Sequence, residues 1–501
     1  MYLTNLPRIS RQRLLFSDLI PKKLVVQFDT PLASSDGGAP LLKACDQLLG
    51  LTAALVACLP DARLGSRIRH SCTDLLRQRV FSIALGYFDC NDSDRLRRDP
   101  ALKLLLDRDP DSPRQLASQP TLSRFENSVS RSTLLRMAET LAANVLRRQR
   151  QRRGTARLIT IDLDPTCDPT HGSQQLTLFN RFYDTACYLP LVGCVTFDNE
   201  AEQYLVTALL RPGNAPAKQG MLPLLRRLLP LLRQQFPRAT LRMRLDAGFQ
   251  GGELLSYLQG EQVQVVLCLA SNKVLKRHAQ PLAEQVRKDY APYLAALPQY
   301  EQQLAQHEQE LEAALAAGRP PPTAPLEPQR PGPRYGQVLY GAKAWGQRWR
   351  VLIKADMVLH AGREPKLNVR FVLTDIKGSA QRIYERIYCG RGDAENRLKE
   401  LKAGLGLDRT SCHRFLANQF RVLLAAAAYA LLQELRWQAR ETEFARAQVP
   451  RLRDLLLKIA VRVKATARRI VLHLPLGAPA QAEWLAIARN LGAVGPPVAG
   501  A

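Results

Sequence analysis

The chain has 501 residues, too many for one core at about 100–200 residues per domain, so several structural units are expected. Hydrophobic residues make up 46% and charged residues 23%, which excludes wholesale disorder, a collagen-like fibre and a polytopic membrane protein. Lysine and arginine outnumber aspartate and glutamate by 71 to 45, a formal charge of +26. So large an excess implies a polyanionic partner, with nucleic acid ahead of an anionic membrane surface.

The first residues, Met1 to Phe16, contain no apolar stretch of signal-peptide length. Residues 1–40 hold one strand candidate, Leu24–Phe28. From Pro40 to about Arg153 the spacing of apolar residues is helical, with Leu41, Leu42, Leu48, Leu49, Leu51 and Leu55 near one face. A long amphipathic helix is expected from Thr121, capped by Thr121 or Ser123 and ending in the basic run Arg147–Arg153 before Gly154. The first boundary falls there.

After Gly154 the period changes. Strands are expected at Leu158–Leu163, Ala186–Phe197 and Tyr204–Leu210, then a leucine-rich helix at Leu222–Phe236 and a strand through Leu241, Met243 and Leu245. A helix near Gly251 and a strand at Val263–Leu269 complete a β-β-β-α-β-α-β order. That order belongs to an α/β, ribonuclease-H-like core with a mixed five-stranded sheet, not to a doubly wound dinucleotide fold. Residues 154–271 form its first part. Residues 272–376 read as an insertion domain, with a polar helix near 281–317, a proline-rich break and strands at Arg348–Lys354 and Leu367–Leu373. Residues 377–440 return to the core with a helix from about Ser379 to Ala403 and a very apolar one over 415–436. The longest apolar run, Val422 to Leu432, is about 11 residues, too short to span a bilayer. Residues 441–501 form a C-terminal region whose end, from Gly492, is expected to be disordered. The ten cysteines form no C-x-x-C pair, so neither a zinc finger nor a disulfide framework is expected. The protein reads as a soluble one of the reducing cytoplasm.

Two aspartates stand at strand ends, Asp164 after the first core strand and Asp246 after the fourth, which are neighbours in such a sheet. A third carboxylate from a following helix would complete a cage for two hard divalent cations, Mg²⁺ or Mn²⁺, the arrangement for phosphodiester chemistry. Taken singly, either aspartate also fits a turn or cap role. Asp162 lies two residues before Asp164 on the same strand face and is an alternative ligand or a supporting group. On the later helix, Tyr388, Arg391, Glu395 and Lys402 fall in one narrow stripe at about 100° per residue. Glu395 there points toward the cations, and Arg391 and Lys402 flank it with groups that grip phosphate. The bland alternative is a solvated face of i,i+4 ion pairs. Gly390 and Gly392 mark either a break in this helix or a close backbone approach.

Tyr388-x2-Arg391-x3-Glu395-x6-Lys402 resembles the Y-R-E-K signature of bacterial insertion-sequence transposases with a DDE active site. Asp164-Pro-Thr166 resembles their first-aspartate motif and Asp246-Ala-Gly-Phe249 their second. Asp168-Pro-Thr170-His171-Gly172, Tyr188-Leu-Pro190-Leu191 and Gln119-Pro-Thr-Leu-Ser-Arg-Phe-Glu-Asn127 extend the similarity to the insertion sequence 1380 family over nearly the whole chain. The resemblance implies catalytic and metal-binding roles for Asp164, Asp246 and Glu395, and DNA contacts for Tyr388, Arg391 and Lys402. It implies double-stranded DNA as substrate, both the terminal inverted repeats and the target. Asp164 would bridge two ions, with Asp246 on one and Glu395 on the other. Water would cut the strand, and the freed 3′-hydroxyl would attack target DNA. A homodimer is expected in the DNA complex because two ends are joined, in the bacterial cytoplasm at the nucleoid. Residues 1–153 become the candidate DNA-binding region. The run Arg147–Arg153 is either an end-recognition element or a solvated linker, and Trp349 either stacks on a base or packs in the core. Two competing readings are a nuclease or resolvase that cuts without joining, and a domesticated DNA-binding protein without chemistry.

Overall fold

Apolar residues recurring every three or four positions between Pro40 and Arg153 fold, in the computed structural model, into helices. The structure describes residues 14–16, 21, 22, 24–26, 29–61, 63–360 and 363–494. The main N-terminal helices are α1 (Ala39–Leu49), α2 (Cys72–Ala84), α3 (Gln119–Asn127) and α4 (Arg131–Arg153). Helix α2 starts with a reciprocal cap, Ser71 and Asp74 each accepting from the other's backbone N–H. The long helix expected from Thr121 is two helices. Ser130 accepts from the Thr133 backbone N–H at 3.2 Å and starts α4 anew, and α3 opens earlier, with Pro120 in its first turn. The strand candidate at Leu24 spans Leu24–Val26 and pairs antiparallel with Leu14–Phe16; Gln27 and Phe28 lie outside the described residues.

Leu158-Ile-Thr-Ile-Asp-Leu-Asp-Pro165 is rich in β-branched and apolar residues and forms strand β1 (Leu158–Pro165), buried on both faces between its ends. Next come β2 (Leu191–Phe197), β3 (Tyr204–Leu209), α5 (Met221–Gln235), β4 (Thr240–Leu245), α6 (Gly252–Gly260) and β5 (Gln264–Leu269). The expected strand Ala186–Phe197 is split at Leu189-Pro190, because proline withdraws a ladder donor. Its first part, Thr185–Tyr188, joins a small sheet with Asp168–Pro169 and Leu178–Asn180.

The segment 272–376 does not build a sheet of its own. Helix α7 (Lys273–Ala316) is longer than expected and carries Pro281, Pro292 and Pro298 internally. It packs on β6 (Arg334–Tyr340), β7 (Trp349–Val358) and β8 (Lys366–Thr374), with Val286 and Tyr290 buried beside Ala355 and Met357. Strand β8 pairs antiparallel with β5. The sheet therefore has eight strands rather than five, in the order β6-β7-β8-β5-β4-β1-β2-β3. β1, β4 and β5 run parallel, and the other pairings are antiparallel.

Beyond β8 lie α8 (Gly392–Leu405) and α9 (Phe415–Gln438). At 24 residues, α9 is long and apolar enough to cross a membrane, but 89% of its most apolar window is buried inside the fold. It is the core helix. It packs against both α2 and β3, and its alanine run Ala425–Ala428 is buried. The C-terminal region adds strands Val461–Ala465 and Ile470–His473, which complete a sheet with Ala33–Ser34, and a helix Gln481–Asn490. From residue 495 the segment expected to be disordered lies outside the described residues.

The basic run at the end of α4 turns largely inward. Arg148 and Arg152 both pair with buried Glu434 of α9. Arg153 pairs with Glu200 and lies over the Phe197 ring at 4.3 Å. Arg79 pairs with Glu126 at 2.7 Å, both fully buried, and Arg421 of α9 approaches the same carboxylate. These charges staple the N-terminal helices to the core, so the run is not simply a solvated linker. Trp349 is buried at the start of β7, its core alternative.

Candidate active site

The parallel register of β1 and β4 sets Asp162 opposite Arg244. Alternation places residues two apart on one face, so Asp164 and Asp246 continue past that pair as a second layer. The inner layer is a closed ion pair. Arg244 Nε donates to Asp162 Oδ1 at 2.7 Å and Nη2 to Oδ2 at 2.6 Å, and Gln203 donates to Oδ2 at 3.1 Å. Asp162 is thereby committed to Arg244, which leaves Asp164 as the first carboxylate of the outer layer.

Asp246 follows β4 at the head of a tight turn. Its Oδ1 accepts from the Gly248 N–H at 2.9 Å, which fixes the carboxylate and leaves Oδ2 facing the outer layer. Glu395, in the first turn of α8, is the most exposed of the three, its side chain 58% accessible. All three gather around Arg391. Its Nη2 donates to Asp164 Oδ1 at 2.8 Å and lies 3.5 Å from Asp246 Oδ2, and its Nη1 is 3.9 Å from Glu395 Oε1. Burial pushes the Asp164 carboxyl up to about 6 against the pull of Arg391, and Asp246 and Glu395 push it the same way. Burial disfavours the Arg391 cation, yet Asp164 and Asp246 hold its pKa above the usual value.

Arg391 was expected beside Glu395, gripping phosphate; the structure sets it among the carboxylates. As they stand, no three acidic, histidine or cysteine side chains among the described residues close tightly enough to hold a metal. The donor set nevertheless suits one. Three carboxylates supply the oxygens a hard divalent cation takes, one guanidinium cannot neutralise them all, and a cationic group already occupies their centre.

The other two stripe residues are placed differently. The segment before α8 is not a regular helix: Ile383–Tyr388 is a π turn and Cys389–Arg391 a 3₁₀ turn. The change of pitch takes Tyr388 out of the expected alignment, whereas Lys402 stays two regular turns beyond Glu395 on α8. Tyr388 packs on Tyr384 at 5.3 Å between ring centres and lies within hydrogen-bond reach of Cys268. Lys402 donates to the Cys167 carbonyl. His171 is exposed.

Gly390 proves to be a close approach. Arg244 Nη1 also donates to the Ile387 carbonyl at 3.0 Å, so the inner ion pair pins the segment that carries Arg391 and Glu395. A Cβ on residue 390 would stand 2.4 Å from that nitrogen. Since Asp162 and Ile387 lock the guanidinium, Gly390→Ala is expected to cost about 1–3 kcal/mol in urea unfolding. An unchanged midpoint would show that the guanidinium yields freely.

Residues without an assigned role in the sequence also stand here. Arg244 carried no motif, and its function is visible only through Asp162 and Ile387. Asp168 is buried, accepts from Thr410 at 2.8 Å, and has its carboxyl raised to about 7 by burial. Its motif Asp168-Pro-Thr170-His171-Gly172 was the available signal.

A fold with strand-end carboxylates converging on a helix-borne arginine and glutamate defines a class of polynucleotide-processing proteins. The chain belongs to the family described as transposase DDE domain, group 1, whose model matches residues 16–495. No curated protein matches it. Among solved structures it is similar to a piggyBac transposase synaptic complex with hairpin DNA, at 10% identity and a TM-score of 0.39, covering 84% of this chain and 79% of that one.

Proposed function

We propose that this protein is the DNA transposase of a bacterial insertion sequence, of the insertion sequence 1380 family, built on a ribonuclease-H-like core. It moves its element by cut-and-paste, acting on double-stranded DNA at the terminal inverted repeats and on the target. One observation carries the reading: Asp164, Asp246 and Glu395, from three distant parts of the chain, meet around Arg391 at the ends of adjacent strands. Asp164, Asp246 and Glu395 would hold two Mg²⁺ or Mn²⁺ ions, which would supply Lewis-acid activation of the attacking oxygen and neutralise charge at the phosphorus. The chain's own part is positioning. Arg244 and Asp162 fix the base of the site, and Asp246 is oriented by its turn. Arg391, displaced from the carboxylates, is free to grip a phosphate oxygen, with Tyr388 and Lys402 bordering the DNA path.

The charge of +26 supports a nucleic-acid partner, with residues 1–153 as the region that recognises DNA ends. The scattered spacing of the ten cysteines, with no C-x-x-C pair, favours a cytoplasmic protein that meets its DNA at the nucleoid. Two ends are joined in one event, which favours a homodimer in the complex. The test is to incubate the protein with Mg²⁺ and DNA bearing the element's own ends and to size the products. Strand cleavage and strand-transfer products are expected, with both lost, by about a thousandfold or more, in Glu395→Gln while end binding persists. Cleavage without joining would mark a nuclease instead, and cleavage by Glu395→Gln would remove Glu395 from the site.

A further inference from the structure

The hairpin Leu178–Tyr188 presents aromatic surface to solvent a short distance along the chain from Asp164. Phe182 is 86% exposed and Phe179 58% exposed, with Tyr183 partly exposed beside them. An apolar group left in water has no folding reason to be there, so so dense a cluster marks a contact surface. The hairpin is also rigid. Asn180 Oδ1 accepts from the backbone N–H groups of Phe182 and Tyr183 at 3.0 and 3.3 Å, and its amide donates to the Gly213 carbonyl at 2.7 Å. Phe182 and Tyr183 meet edge to face at 4.8 Å. The base is seated just as firmly: Cys187 and Tyr188 pair with Pro169 and Asp168, and the backbone at Gly213 lies against the hairpin with no room for a Cβ. The tip is therefore a preset wedge.

Its position selects the partner. The hairpin's return strand pairs with Asp168–Pro169, four residues past Asp164, and the Thr166 N–H donates to the Pro190 carbonyl at 2.9 Å, so the hairpin is anchored beside the strand end that carries Asp164. Burial raises the Tyr183 phenol, and Cys167, Asp164 and Asp246 push it the same way. Arg181 is exposed at the same turn. Aromatic faces beside a guanidinium, next to a site for phosphodiester chemistry, suit a nucleobase better than a lipid or a protein groove. Every base has a face to stack, and the neighbouring cation meets its phosphate.

We propose that the Phe179–Tyr183 turn is a stacking finger that takes an unpaired nucleobase from the DNA strand whose phosphodiester lies at Asp164, Asp246 and Glu395. This deepens the transposase reading and rests on it. By holding one base out of the stack, the finger would fix which phosphodiester faces the carboxylates and hold a strained or frayed end in place.

The probe is a short duplex with a single-stranded tail containing 2-aminopurine, mixed with the full chain in buffer free of divalent metal. The wild type is expected to quench the tail's fluorescence. Phe182→Ala should lose that quenching and bind the tailed duplex about tenfold more weakly, and Phe182→Trp should retain both. The melting temperature should barely move, since Phe182 is 86% exposed and its ring contact is with the neighbouring Tyr183 at the surface, so a loss of binding is not a loss of fold. If Phe182→Ala quenches and binds as the wild type does, the finger is overturned and the transposase reading stands. If Phe182→Ala instead lowers the mass by light scattering at unchanged DNA affinity, the tip is a contact between copies and the proposal fails. If the wild type binds neither tailed nor blunt DNA, the transposase reading fails with it.

Discussion

Asp162→Ala is expected to destabilise the protein by about 3–5 kcal/mol, while Asp164→Asn, two residues away, leaves it as stable as the wild type or more so. The difference follows from their partners. Removing Asp162 strands the buried Arg244 guanidinium, and an unpaired buried charge is among the costliest defects a core can carry. It also frees the Ile387 anchor, so Arg391 and Glu395 should lose their places. Asp164 sits instead in a crowd of like charges. Its folded carboxyl, raised to about 6, lies above the ordinary aspartate value of about 3.8, so the fold favours the protonated form. That preference is fully present below about pH 4 and is lost as pH rises through about 6; above that the ionised group weakens the fold by up to about 3 kcal/mol. Asparagine removes the charge and keeps an oxygen for Arg391. Urea unfolding with a chelator, at pH 4 and at pH 8, would measure this: the advantage of Asp164→Asn should grow with pH. Equal losses for the two variants would erase the distinction between an inner ion pair and an outer reactive layer. Asp164→Asn should nonetheless be inactive in cleavage.

Arg391→Met is expected to tighten binding of Mn²⁺ to the DNA-free protein by about tenfold or more, a coupling of about 1.4 kcal/mol. Arg391 is the cation that Asp164, Asp246 and Glu395 share, and a divalent ion bound by these carboxylates would have to displace it. Methionine keeps much of the apolar stem and removes the competing charge. The same variant should melt at lower temperature with a chelator present, because three carboxylates then face one another unneutralised, and should regain stability as Mn²⁺ is added. Titration calorimetry reads the affinity without any turnover. Weaker Mn²⁺ binding in Arg391→Met would mean that the arginine assembles the carboxylates rather than competing for them.

Much of this arrangement is legible in the residues. Strands β1 and β4 show as short apolar segments that stop at Asp164 and Asp246, and their parallel adjacency follows from the order of elements around them. The Gly390 and Gly392 signal marks an irregular segment correctly but does not reveal a change from π to 3₁₀ pitch, which depends on Arg244 reaching the Ile387 carbonyl. Treating 379–403 as one helix therefore misplaces Tyr388 relative to Glu395, while Lys402, within α8, keeps its expected place. The fate of the basic run is equally hidden: Arg148 and Glu434 are 286 positions apart in sequence, and local pattern cannot tell a guanidinium bound for a buried carboxylate from one left in water. Strand β6 escapes notice because it emerges straight from a proline-rich stretch, and without it the segment looks like a separate domain.

The ion pairs that run from α3 and α4 into α9 carry an evolutionary consequence. A module joined to its neighbour by a loose tether can be exchanged by recombination at the tether. Here the front of the polypeptide supplies counter-ions for acids deep in the back, so a hybrid gene spliced near position 154 would leave orphaned charges on both sides of the seam. New DNA-end specificities in this lineage should therefore arise by point changes on exposed faces, not by shuffling of whole segments.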